Sequence, residues 1–149
     1  MKIVKIPKLN DDLQLLSYKK EGKNSFVKYY DEGVQAGFPS PADDFKEHQL
    51  SLDEKYLVNP DATFLIRVVG NSMYPTLQVG DLLIVKSDLD FTDNKIGIIS
   101  VNNTDFTVKR YDKKKQILVA DNKDFPNIKI KKEDTLLCLG VVQHLIRDL

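Results

Sequence analysis

Thr63-Phe64-Leu65-Ile66-Arg67-Val68-Val69-Gly70, followed shortly by Leu77-Gln78-Val79-Gly80-Asp81-Leu82-Leu83-Ile84-Val85-Lys86, is the stretch that decides the fold. In the first segment Phe64, Ile66 and Val68 alternate with Leu65, Arg67 and Val69, the period-two pattern of a strand. In the second, Gly80-Asp81 supplies turn chemistry and Leu82 to Val85 an apolar strand. Working outward, Ile96 to Val101, Phe106 to Tyr111, Gln116 to Ala120 and Leu136 to Ile146 read as further strands, with Asn102-Asn103-Thr104 as a hairpin turn. Helix is confined to short pieces, one near Pro41-Ala42 and one at Ser51-Leu52-Asp53-Glu54, where Ser51 and Glu54 have capping-box spacing. Several short strands joined by polar turns predict a compact, mostly antiparallel β fold.

Between the two opening strands lies Gly70-Asn71-Ser72-Met73-Tyr74-Pro75, a serine at a strand end in a turn that Pro75 limits. A serine hydroxyl becomes nucleophilic when a neighbouring base takes its proton, and a neutral lysine can be that base. Lysine titrates near 10.4 in water, and burial without a carboxylate partner lowers that value. Lys109 lies in the strand Phe106-Thr107-Val108-Lys109-Arg110. Alternation puts Val108 and Arg110 on one face and Thr107, Lys109 and Tyr111 on the other. An inward-facing Lys109 is the arrangement that Ser–Lys chemistry requires. Alone, each signal is weak, since most lysines are exposed and Gly, Asn and Ser are ordinary turn residues.

Their context carries more weight. Ala36-Gly37-Phe38-Pro39-Ser40-Pro41-Ala42, Gly70-Asn71-Ser72-Met73, Gly80-Asp81-Leu82-Leu83-Ile84-Val85, Phe106-Thr107-Val108-Lys109 and Glu133-Asp134-Thr135-Leu136 with Gly140-Val141-Val142 occur in this order. In order and spacing they resemble the UmuD family of self-cleaving Ser–Lys peptidases and, more distantly, the catalytic domain of LexA-type repressors. The resemblance spans about residues 31 to 147. It implies a Ser72–Lys109 dyad, an oxyanion site made by the Ser72 and Met73 backbone N–H groups, and scission between Ala36 and Gly37. It further implies an N-terminal arm, residues 1–36, removed by cleavage from a β-rich peptidase and dimerisation domain, residues 37–149. The implied partners are a second copy in a homodimer, the RecA–single-stranded DNA filament as activator, and a UmuC-like Y-family DNA polymerase in the SOS response. Asn71 stands where the family often has Asp, which bears on local turn hydrogen bonds and not on the nucleophile.

The residues themselves suit such a scissile segment. Gly33 and Gly37 loosen the backbone, while Pro39 and Pro41 bias the residues before them to extended conformations. Pro and Gly clusters also mark ordinary linkers.

Composition bounds the alternatives. The 149 residues fit one domain with an arm, and 22 Lys plus Arg balance 22 Asp plus Glu. With no excess of positive charge, direct sequence-specific DNA binding is not expected. Residues 1 to 30 show no pair of helices around a glycine turn, so a DNA-reading element is not expected either. A truncated repressor-like domain acting by mixed dimerisation is the alternative, and a non-proteolytic binding subunit is a third reading. Lone Cys138 makes no internal disulfide, and no apolar run reaches the roughly 18 residues of a membrane span. A cytoplasmic protein without membrane attachment is expected. The two histidines, His48 and His144, spell neither a serine triad nor a metal site, so no cofactor or metal is expected.

Overall fold

The structure, a computed structural model, describes residues 8–16, 27–30 and 47–149. Residues 8–16 and 60–149 form one unit, and the described residues between them form another. The smaller unit holds β2 (Val27–Tyr30) and β3 (Glu47–Leu50), paired antiparallel from Val27↔Leu50 to Tyr30↔Glu47, and helix α1 (Leu52–Tyr56). Ser51 occupies the N-cap of α1 in an extended conformation, yet its hydroxyl makes no cap bond, so the expected capping box is not formed. The helix expected near Pro41-Ala42 begins outside the described residues.

The larger unit is one sheet. Besides β1 (Leu13–Leu16) it contains β4 (Thr63–Val68), β5 (Leu82–Lys86), β6 (Ile96–Val101), β7 (Thr107–Asp112), β8 (Ile117–Val119), β9 (Ile128–Lys129) and β10 (Leu136–Ile146). Their order is β1-β4-β5-β10-β6-β7-β8-β9, all antiparallel. The expected mostly antiparallel β fold is therefore observed, as a curled sheet. Asn102 and Asn103 both take positive φ, 53° and 60°, as the primed turn of the β6–β7 hairpin requires. Bulges in β10 between Cys138 and Gly140 and between Val142 and His144 let this long strand pair with β6 along one stretch and β5 along another.

The curl closes on itself through the chain's early residues. Leu9 makes a parallel bridge to Phe106, Asn10 N–H donates to the Phe106 carbonyl (2.8 Å), and Phe106 N–H donates to the Lys8 carbonyl (2.9 Å). A few residues later β1 pairs with β4, from Leu13↔Val68 to Leu16↔Leu65. Leu13 joins Ile66, Val68, Leu83, Val85, Ile98 and Val108 in the apolar core, with Met73 and Leu77 entering from the β4–β5 loop. Each fully buried aliphatic side chain contributes about 1.5–3 kcal/mol. Nothing in residues 13–16 announces this strand in the sequence. Four residues are too few to show a period, and their pairing partner lies some fifty positions away.

Candidate active site

Ser72 lies in the loop from β4 to β5, and the loop is built to hold it. Gly80 N–H donates to the Val68 carbonyl (2.8 Å) and Val68 N–H to the Asp81 carbonyl (2.9 Å), which closes the loop at its base. Gly80 makes this closure with φ of +96°, a conformation that disfavours any side chain. Met73 and Leu77, each 1% exposed, are sunk in the core, so the serine between strand and plug cannot swing freely. Ser72 is 2% exposed, and its Oγ has no hydrogen-bond partner among the described residues. The backbone N–H groups of Ser72 and Met73 likewise donate to none of them. A buried hydroxyl left unpaired costs about 1–3 kcal/mol, so native structures rarely keep one without a use.

Lys109 sits in β7 opposite Gly97 of β6. Val108 is the residue that enters the apolar core, so Lys109 is on the other side of the strand, yet it is only 6% exposed. Its Nζ donates to Thr107 Oγ1 (3.2 Å) and to the Val108 carbonyl (3.1 Å), both neutral acceptors. Burial lowers its pKa below the ordinary lysine value, and the charge of Asp12 opposes this without cancelling it. The group is thereby biased toward the neutral amine, the form that accepts a proton. Nζ makes no hydrogen bond to Ser72 Oγ. Catalytic contacts are often loose before substrate binds, so this does not disqualify the pair.

Lys86 is a second buried lysine, 5% exposed and also lowered by burial. It donates to Thr63 Oγ1 (2.9 Å), at the beginning of β4. Five residues of strand, about 17 Å, separate that point from the end of β4 that leads into Ser72. Burial alone therefore does not single out a base.

Two sets of contacts tie the serine loop to the part of the sheet that carries Lys109. On one side, the Asp12 carbonyl accepts the N–H groups of Val69 (2.7 Å) and Gly70 (3.3 Å), while Asn10 Nδ2 donates to Thr107 Oγ1 (2.9 Å). On the other, Asn122 N–H donates to the Ser72 carbonyl (3.1 Å), Asn122 Nδ2 to the Asn71 carbonyl (2.9 Å), and Asp121 N–H to Met73 Sδ (3.4 Å). The Asp121 carboxylate accepts both Arg110 Nε (3.0 Å) and Nη2 (2.7 Å) and also the Thr76 hydroxyl (2.6 Å). Arg110 is the residue next to Lys109. Burial pushes the Asp121 carboxyl up, but Arg110 and Thr76 outweigh it and hold it below the usual range. Asn71, Tyr74, Asn122, Asp124 and Phe125 line an open cavity of about 400 Å³ beside the serine loop.

Asp81, which the sequence marked as a turn residue, accepts the Gln78 N–H (2.8 Å) and a fork from Arg147 Nε (2.7 Å) and Nη2 (2.6 Å). Both its oxygens are thus committed away from Lys109. Ala36 and Gly37 lie outside the described residues. The sequence did not point to Asp12, Asp121 or Asn122. They reach the serine loop through contacts 45 to 58 positions apart in the chain, from Thr76–Asp121 to Asp12–Gly70, and no local pattern announces those.

A loop-borne buried serine and a buried lysine on one curled antiparallel sheet define a class, and comparison with known proteins agrees with it. Residues 28–143 match the Peptidase S24-like model, and the chain belongs to that peptidase family. Within it the chain is of the UmuD-like kind. It is 35% identical to Protein MucA of Salmonella typhimurium over 121 residues, covering 79% of this chain and 82% of MucA. It is 35% identical to Protein SamA of Salmonella typhimurium over 136 residues, covering 90% and 94%. A LexA repressor of Acidithiobacillus ferrooxidans is 39% identical over 120 residues, 76% of this chain and 58% of the repressor. Among the described residues no helix is long and apolar enough to cross a membrane.

Proposed function

We propose that the protein is a self-cleaving serine peptidase in which Ser72 is the nucleophile and Lys109 the base. The observation that carries this reading is the buried Lys109, bonded among the described residues only to neutral acceptors and shifted toward the amine, on a sheet to which the serine loop is anchored from two sides. The Ser72 hydroxyl gives its proton to Lys109 Nζ as Oγ attacks the Ala36 carbonyl carbon. The oxyanion is held by the Ser72 and Met73 N–H groups, each such donor being worth about 2.7–4 kcal/mol. Lys109 returns the proton to the Gly37 nitrogen as the peptide bond breaks. Water then hydrolyses the Ser72–Ala36 ester, and residues 1–36 and 37–149 separate as covalent entities.

The β2–β3 pair supports the substrate assignment, because residues 31–46, with Ala36 and Gly37 among them, are the connection between its two strands. Scissile bond and nucleophile then belong to the same chain sequence, and the rate is set by how often that connection occupies a site. The biological reading follows the UmuD-like relatives. The RecA–single-stranded DNA filament raises that occupancy in the cytoplasm of a cell with damaged DNA. The processed form pairs as a homodimer and joins a UmuC-like Y-family polymerase as its accessory subunit. Exposed Val79, Leu145 and Ile146 support an apolar contact with a second copy.

The test is intact mass after incubation at alkaline pH, with and without RecA, ATP and single-stranded DNA, beside Ser72→Ala and Lys109→Ala. A fragment beginning at Gly37 in the parent chain alone is the expected result. Its absence under all conditions refutes self-cleavage, and its persistence in either variant removes that residue from the mechanism.

A further inference from the structure

Residues 8–16 are joined to the β unit as a peptide is joined to a receptor. Their main chain is paired on two sides, to Phe106 at the start of β7 through Lys8 and Asn10, and to β4 through Leu13 to Leu16. Val69 and Gly70 both donate to the Asp12 carbonyl between those two stretches. Leu13, 6% exposed, fills a place in the core beside Ile66 and Val68, and Leu9 and Leu15 pack against the same cluster. The side chains alternate as a bound strand's do, with Gln14 exposed between Leu13 and Leu15. Take this segment away and β4 loses its outer partner along Leu65 to Val68, two loop N–H groups lose their acceptor, and the core opens at Leu13. An open strand edge above an apolar hole is the makeup of a groove that recognises an extended peptide by strand addition.

We propose that the groove between β4 and the start of β7 is a peptide-binding site whose occupant is residues 8–16 of this chain, held there without need of the covalent link to the rest of the molecule. The binding does not depend on Ser72 chemistry. Its consequence for the processed protein rests on the cleavage reading: with the Ala36–Gly37 bond open, the N-terminal piece stays on the β unit as a non-covalent strand. Cleavage then leaves the sheet closed, so the edge of β4 is not offered to other chains.

The test separates the two readings. A protease recognition sequence is inserted between Ser17 and Phe26 of the full chain carrying Ser72→Ala, so that only the added protease cuts. Denaturing mass spectrometry confirms the cut, and native mass spectrometry reads what stays together. One species containing both pieces is expected; two separate pieces overturn the proposal, whatever Ser72 does in the parent protein. Leu13→Ala should raise the concentration at which the cut pieces separate on the order of a hundredfold, and the milder Asn10→Ala about tenfold, while exposed Gln14→Ala leaves it unchanged. If neither Leu13→Ala nor Asn10→Ala weakens retention, residues 8–16 are not the bound segment.

Discussion

The Asp12 carboxylate occupies the space that a Cβ on Gly70 would need. Gly70 directly precedes Asn71-Ser72, and it is glycine because the side chain of Asp12, in the turn before β1, lies against its Cα. Gly70→Ala should therefore cost about 1–3 kcal/mol in equilibrium unfolding, the usual range for an overpacked site. Asp12→Ala in the same chain should restore part of that loss and not all of it, since the Asp12 main chain is also close. A double-mutant cycle by urea denaturation measures the coupling, and strictly additive effects contradict the contact.

Lys109 sets the pH dependence of the proposed cleavage. Its folded pKa is lowered, first by burial, so the neutral fraction grows as pH rises from 7 and passes its midpoint below the ordinary lysine value of 10.5. The rate should follow that curve. Asp12 is the charge that opposes the shift, so Asp12→Asn should move the rising limb to lower pH and speed cleavage near neutrality. A pH–rate profile identical to that of the parent would remove Asp12 from Lys109's surroundings.

The same burial carries a stability cost. Below 10.5 the unfolded chain holds a proton on Lys109 more readily than the folded chain does, so this residue makes stability rise with pH through the window under 10.5. Lys109→Met keeps the volume and discards the charge. It should be inactive yet at least as stable as the parent at pH 7, with the gain vanishing at high pH, a trade of function against stability that calorimetry across pH would read.

Asp121 is expected to act as a positioning residue. Asp121→Ala removes the fork to Arg110 and the bond to Thr76, and should cost about 1–3 kcal/mol, less than the 3–5 kcal/mol of a fully buried pair because Arg110 is 27% exposed. Cleavage should fall by about tenfold to a hundredfold through displacement of the serine loop, while the shape of the pH–rate profile is preserved. Thr76→Val tests the loop side of the same carboxylate alone and should have a smaller effect.

Asp81 is 1% exposed, and the Arg147 fork is the main cause of its lowered pKa. The stabilisation it lends is complete above the unfolded value of about 3.8 and is lost as pH falls through the lower folded value. Arg147→Ala should therefore lower the urea midpoint at neutral pH and make progressively less difference as pH falls below 3.8. An equal loss at both extremes would mean that the pair is not what Arg147 contributes.

Alternation in Thr63–Val68, the apolar run Leu82–Val85 and the Asn102-Asn103 turn announced the antiparallel β fold, because period two and turn chemistry are local properties of the chain. Ser72 and Lys109 were also legible, as a serine at a strand's end and a lysine in a strand. Only the folded chain decides that Lys109 is buried although Val108 takes the core side, and that Lys86, equally buried, lies at the beginning of β4 beside Thr63. It alone joins Leu13 to Val68, Asp12 to Gly70 and Asp121 to Thr76. Those links depend on which strands become neighbours when the sheet curls, a global choice made by burying Leu13, Ile66, Val85 and Val108 together, and no short window of sequence contains it.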